Sequence, residues 1–167
     1  MKPASRALAS ALVILASCKD PARFSSSGDH FEGTVVASGF VRSNVAEGTK
    51  LCLTLDAQNL QTAPGTISSS DGRFRKTALR PIPQVFHDPL STMNFGEGRE
   101  RNLMYVATPD TTVDAGGDAT IILSLLSTGE LEVRVLRSAP SAGDGGSGAA
   151  ALFGVFPLQR TPGSCPF

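Results

Sequence analysis

Hydrophobic and polar residues alternate with a period of two in several stretches of the chain, the spacing of half-buried strands. Leu51, Leu53 and Leu55 alternate with Cys52, Thr54 and Asp56 across Lys50 to Ala57. Leu131, Val133 and Val135 share one face of Glu130 to Arg137, and Glu132 and Arg134 share the other. Ala119 to Leu126 precedes that segment across Ser127-Thr128-Gly129, which together predict a hairpin with an inward and an outward face. His30 to Val41 is a first strand, in which Phe31, Val35, Val36, Phe40 and Val41 supply β-favouring bulk and Gly33 and Gly39 admit a bend.

A turn at Val45 to Gly48 leads into the leucine strand. Pro64-Gly65 and Asp71-Gly72 bracket a short strand at Thr66 to Ser69, and Arg73 to Leu79 follows with Phe74 as its anchor. Leu103 to Ala107 and Ala149 to Leu158 complete the strands, with turns at Pro109 to Gly117 and a Gly/Ser-rich loop at Ser141 to Gly148. Between them, Arg80 to Asn102 contains Pro81, Pro83 and Pro89, which prevent continuous ladder pairing. It is expected to be a long ordered loop with at most brief edge strands. The 17 Gly and 11 Pro of this 167-residue chain favour turns and short strands over helices. The expectation is a single all-β domain over 30–167, a barrel or sandwich of about seven or eight short antiparallel strands.

Ahead of that domain, Lys2 and Arg6 precede an apolar run from Ala7 to Ala16, and the run ends in Leu15-Ala16-Ser17-Cys18. The run is about ten residues long, within the span of secretory signals and too short to cross a bilayer. The tetrad resembles the lipobox of bacterial lipoproteins. The resemblance implies that Cys18 receives a diacylglyceryl group and that residues 1–17 are then removed, leaving 18–29 as a lipidated tether and Cys18 as the membrane attachment. Lys19-Asp20 lacks an acidic residue directly after the cysteine, so the same resemblance implies sorting to the outer membrane.

Removal of residues 1–17 takes Lys2 and Arg6 out of a balance of 15 cations and 15 anions, leaving a formal charge of −2. No basic excess remains to attract nucleic acid. With Cys18 acylated, Cys52 and Cys165 are the remaining thiols of a chain bound for an oxidising compartment, and they are expected to pair. The two-residue period sets Cys52 opposite the leucine face, under a covering segment such as the C-terminal tail.

The densest polar chemistry lies in the Pro-punctuated stretch, which also holds Glu100 and where Arg80, His87, Asp88, Glu97, Arg99 and Arg101 are candidates for binding a partner. His87 and Asp88 are adjacent on an extended chain and so point apart, which argues against a ready-made catalytic dyad. Ser68, Ser69 and Ser70 sit in no nucleophile elbow and are read as a polar approach to a turn. Asp114 and Asp118 flank Gly116-Gly117 without the loop pattern of a dedicated calcium site, and no metal or cofactor is expected. The run from Leu51-Cys52-Leu53-Thr54-Leu55 to Ser70-Asp71-Gly72-Arg73-Phe74 is similar to transthyretin-like modules, and the resemblance implies an antiparallel β-sandwich without catalytic groups.

The expected function is therefore that of a non-enzymatic binding or structural module, lipid-anchored in a bacterial envelope. One alternative is a small barrel carrying an apolar ligand among Phe31, Phe40, Phe74, Leu123, Leu125, Phe153 and Phe156. The other is an enzyme using His87.

Overall fold

The computed structural model describes residues 28–36, 45–82, 99–113, 117–138 and 150–167; for 99–101, 138 and 150–153 it describes the backbone alone. Among the described residues there is no helix. Nine strands occur in chain order: β1 Asp29–Thr34, β2 Lys50–Leu55, β3 Gly65–Ser69, β4 Thr77–Ala78, β5 Arg80–Pro81, β6 Arg99–Ala107, β7 Ala119–Leu126, β8 Leu131–Ser138 and β9 Ala150–Pro162. They form one antiparallel sheet in the order β4-β3-β2-β1-β9-β8-β7-β6-β5.

The two edge strands of this order are neighbours in sequence, joined by Leu79 alone. Thr77 and Ala78 pair with Ile67 and Thr66 of β3, while Arg80 and Pro81 pair with Val106 and Tyr105 of β6. Thr77 to Pro81 is thus one extended segment hydrogen-bonded to both margins of the sheet, which curls into a nearly closed barrel. Counted in this way the wall has eight staves, each beside its sequence neighbour, with β1 and β9 meeting to join the ends of the meander. Closure removes the exposed ladder edges that favour chain-to-chain aggregation.

Strand parity decides what fills the barrel. Leu51, Leu53 and Leu55 of β2, Ile121, Leu123 and Leu125 of β7, and Leu131, Val133 and Val135 of β8 are all buried within it. Phe31, Tyr105, Phe156 and Leu158 add the largest interior side chains. Connections on the β1–β2 and β3–β4 side bring Val45 and Phe74 over one end, and Leu60 of the β2–β3 connection enters the core from the other. The outer wall carries Glu32 with Lys50 and Glu132 with Arg134. An apolar interior and a charged outer wall are the reverse of a lipid-spanning barrel.

Several expected elements are differently bounded. The first strand is regular to Thr34, with a further bridge from Val36 to Val155, and its expected remainder, 37–41, lies outside the described residues. Arg73 to Lys76 is not strand: the Ser69 hydroxyl accepts from the amide of Phe74 at 2.9 Å and Asp71 accepts from the amide of Arg73 at 3.1 Å, so side chains capture the ladder donors. Lys76 then takes a left-handed φ of 48°, which ends any extended run before Thr77. Regular pairing resumes at Arg99, not Leu103, with a bulge between Arg99 and Arg101 opposite β7. The last strand continues to Pro162 because its first part pairs with β8 and its final residues, Gln159 to Pro162, pair with β1.

Candidate functional site

The outer face of β1 and β2 is covered by the C-terminal segment, as the parity of Cys52 implies. After β9 the chain turns at Gly163, whose φ of 92° suits glycine, and Cys165 bonds Cys52 across 113 positions of sequence. Cys52 is fully buried beneath this cover. The Gly163 amide donates to the Gly28 carbonyl at 3.2 Å, drawing the two ends of the barrel wall together.

Beside the disulfide stands a polar chain that sequence reasoning passed over. His30 is 3 % exposed, with Nδ1 at 2.9 Å from the Gly163 carbonyl and Nε2 at 3.2 Å from a carboxylate oxygen of Glu32. The other Glu32 oxygen accepts from Lys50 Nζ at 3.1 Å. The Lys50 hydrogen bond, together with His30, holds the Glu32 carboxyl below its ordinary value although partial burial opposes this. The available signal was the i, i+2 spacing of His30 and Glu32, which sets both on one face of a strand.

At the barrel end bearing Val45 and Phe74 there is a small cleft lined by Leu51, Val135 and Phe156 below and by Thr49, Ser69, Asp71 and Arg73 at the rim. Its room, about 10 Å³, suits roughly one water molecule. Arg73 and Asp71 face each other there at 3.2 Å. The serine triplet is used in building this end: Ser68 Oγ accepts from the Lys76 amide at 3.1 Å, Ser69 Oγ donates to Asp71 at 2.6 Å, and Ser70 Oγ accepts from the Lys50 amide at 2.9 Å. Arg75 reaches across to Asp110 at 3.2 Å, and the Asp110 amide donates to the Arg73 carbonyl at 2.7 Å, so the β3–β4 and β6–β7 connections brace each other.

Of the residues singled out from sequence, Arg80 is exposed on β5 and donates to Asp118 at 2.7 Å and Thr108 at 3.1 Å. Thr108 also donates to the second Asp118 oxygen at 2.7 Å. Thr108 first, then Arg80, lowers the Asp118 pKa. Both carboxylate oxygens are therefore engaged by donors, which leaves Asp118 poorly suited to a cation; Asp114 lies outside the described residues. So do His87, Asp88 and Glu97. Arg99 and Arg101 lie on β6, aligned with Leu126 and Leu125, and only their backbone is described. Cys18 also falls outside the described residues, as does Phe40; of Phe153 only the backbone is described. Among the described residues no group of three His, Cys, Asp or Glu is placed to hold a metal, and no helix is long and apolar enough to cross a membrane.

Fold and side chains define a nearly closed antiparallel meander barrel with a filled apolar interior and a cross-linked C-terminal cover. No family model, curated protein or solved structure matches the chain.

Proposed function

We propose that the chain from Cys18 onward is a lipid-anchored module of a bacterial envelope, sorted to the outer membrane, whose β-barrel binds or supports other envelope proteins without catalysing a reaction. The observation that carries this reading is the pairing of Cys52 with Cys165, which leaves Cys18 as the one cysteine outside a disulfide, at the end of the lipobox-like tetrad. A disulfide suits an oxidising compartment beyond the inner membrane. The described serines and carboxylates at the barrel end are engaged in bracing loops, an arrangement that favours a scaffold over a reaction centre. The partner-facing chemistry is assigned to Arg80, His87, Asp88, Glu97, Arg99 and Arg101.

Metabolic labelling with an alkyne palmitate tests the anchor directly. Label is expected on the wild type and absent from Cys18→Ala, whose precursor should stay unprocessed; equal labelling of both would refute the reading. Carriage of an apolar ligand is the second reading, favoured by the aromatic floor of the end cleft, Phe74 and Phe156, and disfavoured by its room for one water. Native mass spectrometry of the delipidated domain decides between them, because a carrier would retain a lipid-sized mass. An enzyme using His87 is the third reading, and His87→Ala would then abolish turnover without unfolding the barrel.

A further inference from the structure

We propose that the cleft at the barrel end bearing Val45 and Phe74 is a binding site for an uncharged acetamido group, presented by an N-acetylated amino sugar of a glycan.

The residue that points to a ligand is Thr49. It is 6 % exposed and lines the cleft, and the two-residue period sets it on the inward side of the chain with Leu51. Its amide donates to the Ala46 carbonyl at 3.1 Å and its carbonyl accepts from the Val35 amide at 2.9 Å, yet among the described residues none hydrogen-bonds its hydroxyl. Ser69, equally buried at the same rim, shows the contrast: its hydroxyl donates to Asp71 at 2.6 Å and accepts from the Phe74 amide at 2.9 Å. Buried hydroxyls are ordinarily satisfied, so that of Thr49 is left for a group that enters the cleft.

Floor and rim define the chemistry of the occupant. Leu51, Phe74, Val135 and Phe156 make the floor apolar. Gly154 keeps it open, since a Cβ there would stand 2.9 Å from Phe156 Cε2 and 3.2 Å from Val45 Cγ2. The room of about 10 Å³ admits one small group, of the order of a methyl. At the rim Asp71 and Arg73 pair at 3.2 Å and neutralise each other, which gives a charged ligand little advantage. A carboxylate has roughly four acceptor positions, and on Asp71 the Ser69 hydroxyl, the Arg73 amide and the Arg73 guanidinium take three. An acetamido group carries the complement in one plane: a methyl for the floor, a carbonyl oxygen for the Thr49 hydroxyl and an N–H for the remaining position on Asp71. On an amino sugar it projects as a slim arm, so the rings stay outside. An alanine methyl branches instead from a backbone whose two continuations would both have to pass the rim.

This assignment goes beyond the proposed binding of envelope proteins and takes from that reading only the side on which the chain is attached. Phe31 pairs with Leu53 and Thr34 with Lys50, so β1 begins at the far end of the staves from Thr49. The attachment through Cys18 thus joins the barrel away from the cleft.

The test uses the isotope-labelled full chain in detergent micelles with two uncharged β-1,4-linked probes: the tetramer of N-acetylglucosamine and the tetramer of glucose, which lacks the acetamido group. The acetylated tetramer should shift the amide signals of Thr49, Ser69 and Phe74, and its methyls should give nuclear Overhauser contacts to the rings of Phe74 and Phe156. The glucose tetramer should shift none of them. Thr49→Val, which keeps the shape and removes the hydroxyl, should weaken binding by about tenfold, the size expected for one lost hydrogen bond. Absence of shifts, an equal response to the two tetramers, methyl contacts to another surface or an unchanged affinity in Thr49→Val would each overturn the assignment. So would tighter binding of a blocked trialanine peptide to the same residues. The wild-type ring contacts decide the matter if Thr49→Val does not fold. Palmitate labelling tests the anchor separately, so failure of the glycan site and failure of the lipoprotein reading are told apart.

Discussion

The amide of Leu79 donates to the carbonyl of Gly65 at 2.9 Å, and it is the last bond that the closing segment makes with β3 before Arg80 passes to β6. Gly65 accepts it in a conformation, φ 131°, that a side chain rarely adopts, and a Cβ there would meet the Thr54 carbonyl oxygen at 1.9 Å. Backbone cannot yield as a flexible side chain does. Gly65→Ala should therefore destabilise the barrel by more than about 2 kcal/mol, read as a lowered midpoint in urea. A midpoint within error of wild type would show that the seam tolerates rearrangement.

Cys52→Ala combined with Cys165→Ala should lower stability by about 2–5 kcal/mol at unchanged barrel content in circular dichroism. The loss is read by comparing urea midpoints of the oxidised wild type and the double variant. Reduction of the wild type should produce a loss of the same order.

Acid should weaken the β1–β2 face through Glu32. Its folded-state pKa is lowered from the ordinary 4.5, first by the Lys50 hydrogen bond, so the ionised group stabilises the fold above 4.5 and that contribution is lost as pH falls through the depressed folded value. Glu32→Gln should flatten the fall in stability below pH 4.5, measured by thermal melts across pH 3 to 6. An unchanged acid limb would locate the sensitive carboxylate elsewhere.

Asp118 offers a test of its two partners. Thr108→Val and Arg80→Ala should each raise its titration midpoint, because the Thr108 hydroxyl and the Arg80 guanidinium both hold the carboxyl below its ordinary value. Carbon-detected NMR of the carboxyl reports both. Arg80→Ala should change stability by no more than about 1 kcal/mol, since the pair is exposed. It should weaken capture of envelope proteins if Arg80 is a recognition residue.

The hairpin of β7 and β8 and the leucine strand β2 were legible in sequence because two-residue alternation is local, and each strand is bounded by a turn. The inward leucines and valines follow directly from that period. The cysteine pair was legible by count, together with the oxidising compartment that the lipobox resemblance implies. The path of Arg73 to Leu79 was not, because Ser69 and Asp71 redirect its amides through side-chain bonds that alternation does not record. Nor was the closing role of Thr77 to Pro81 visible: two short ladders, one to each margin, give no repeating pattern. The contact of His30 with the Gly163 carbonyl left no local signal, since the two residues are more than a hundred positions apart. The loop residues His87, Asp88 and Glu97 are distinguished by composition alone, which carries no geometry.

The meander also dictates an order of assembly. Each hairpin from β1 to β8 joins segments close in sequence and can form as the chain is released, whereas the β1–β9 ladder ties Asp29 to Pro162 and waits for nearly the whole length. Until then β1 is an open edge, and Cys52 has no intramolecular partner but Cys18. A thiol oxidase acting on a half-exported chain would thus meet Cys18 and Cys52 before Cys165. On the proposed lipoprotein reading, early acylation of Cys18 would remove that competing pair and so protect the correct cross-link before the barrel exists.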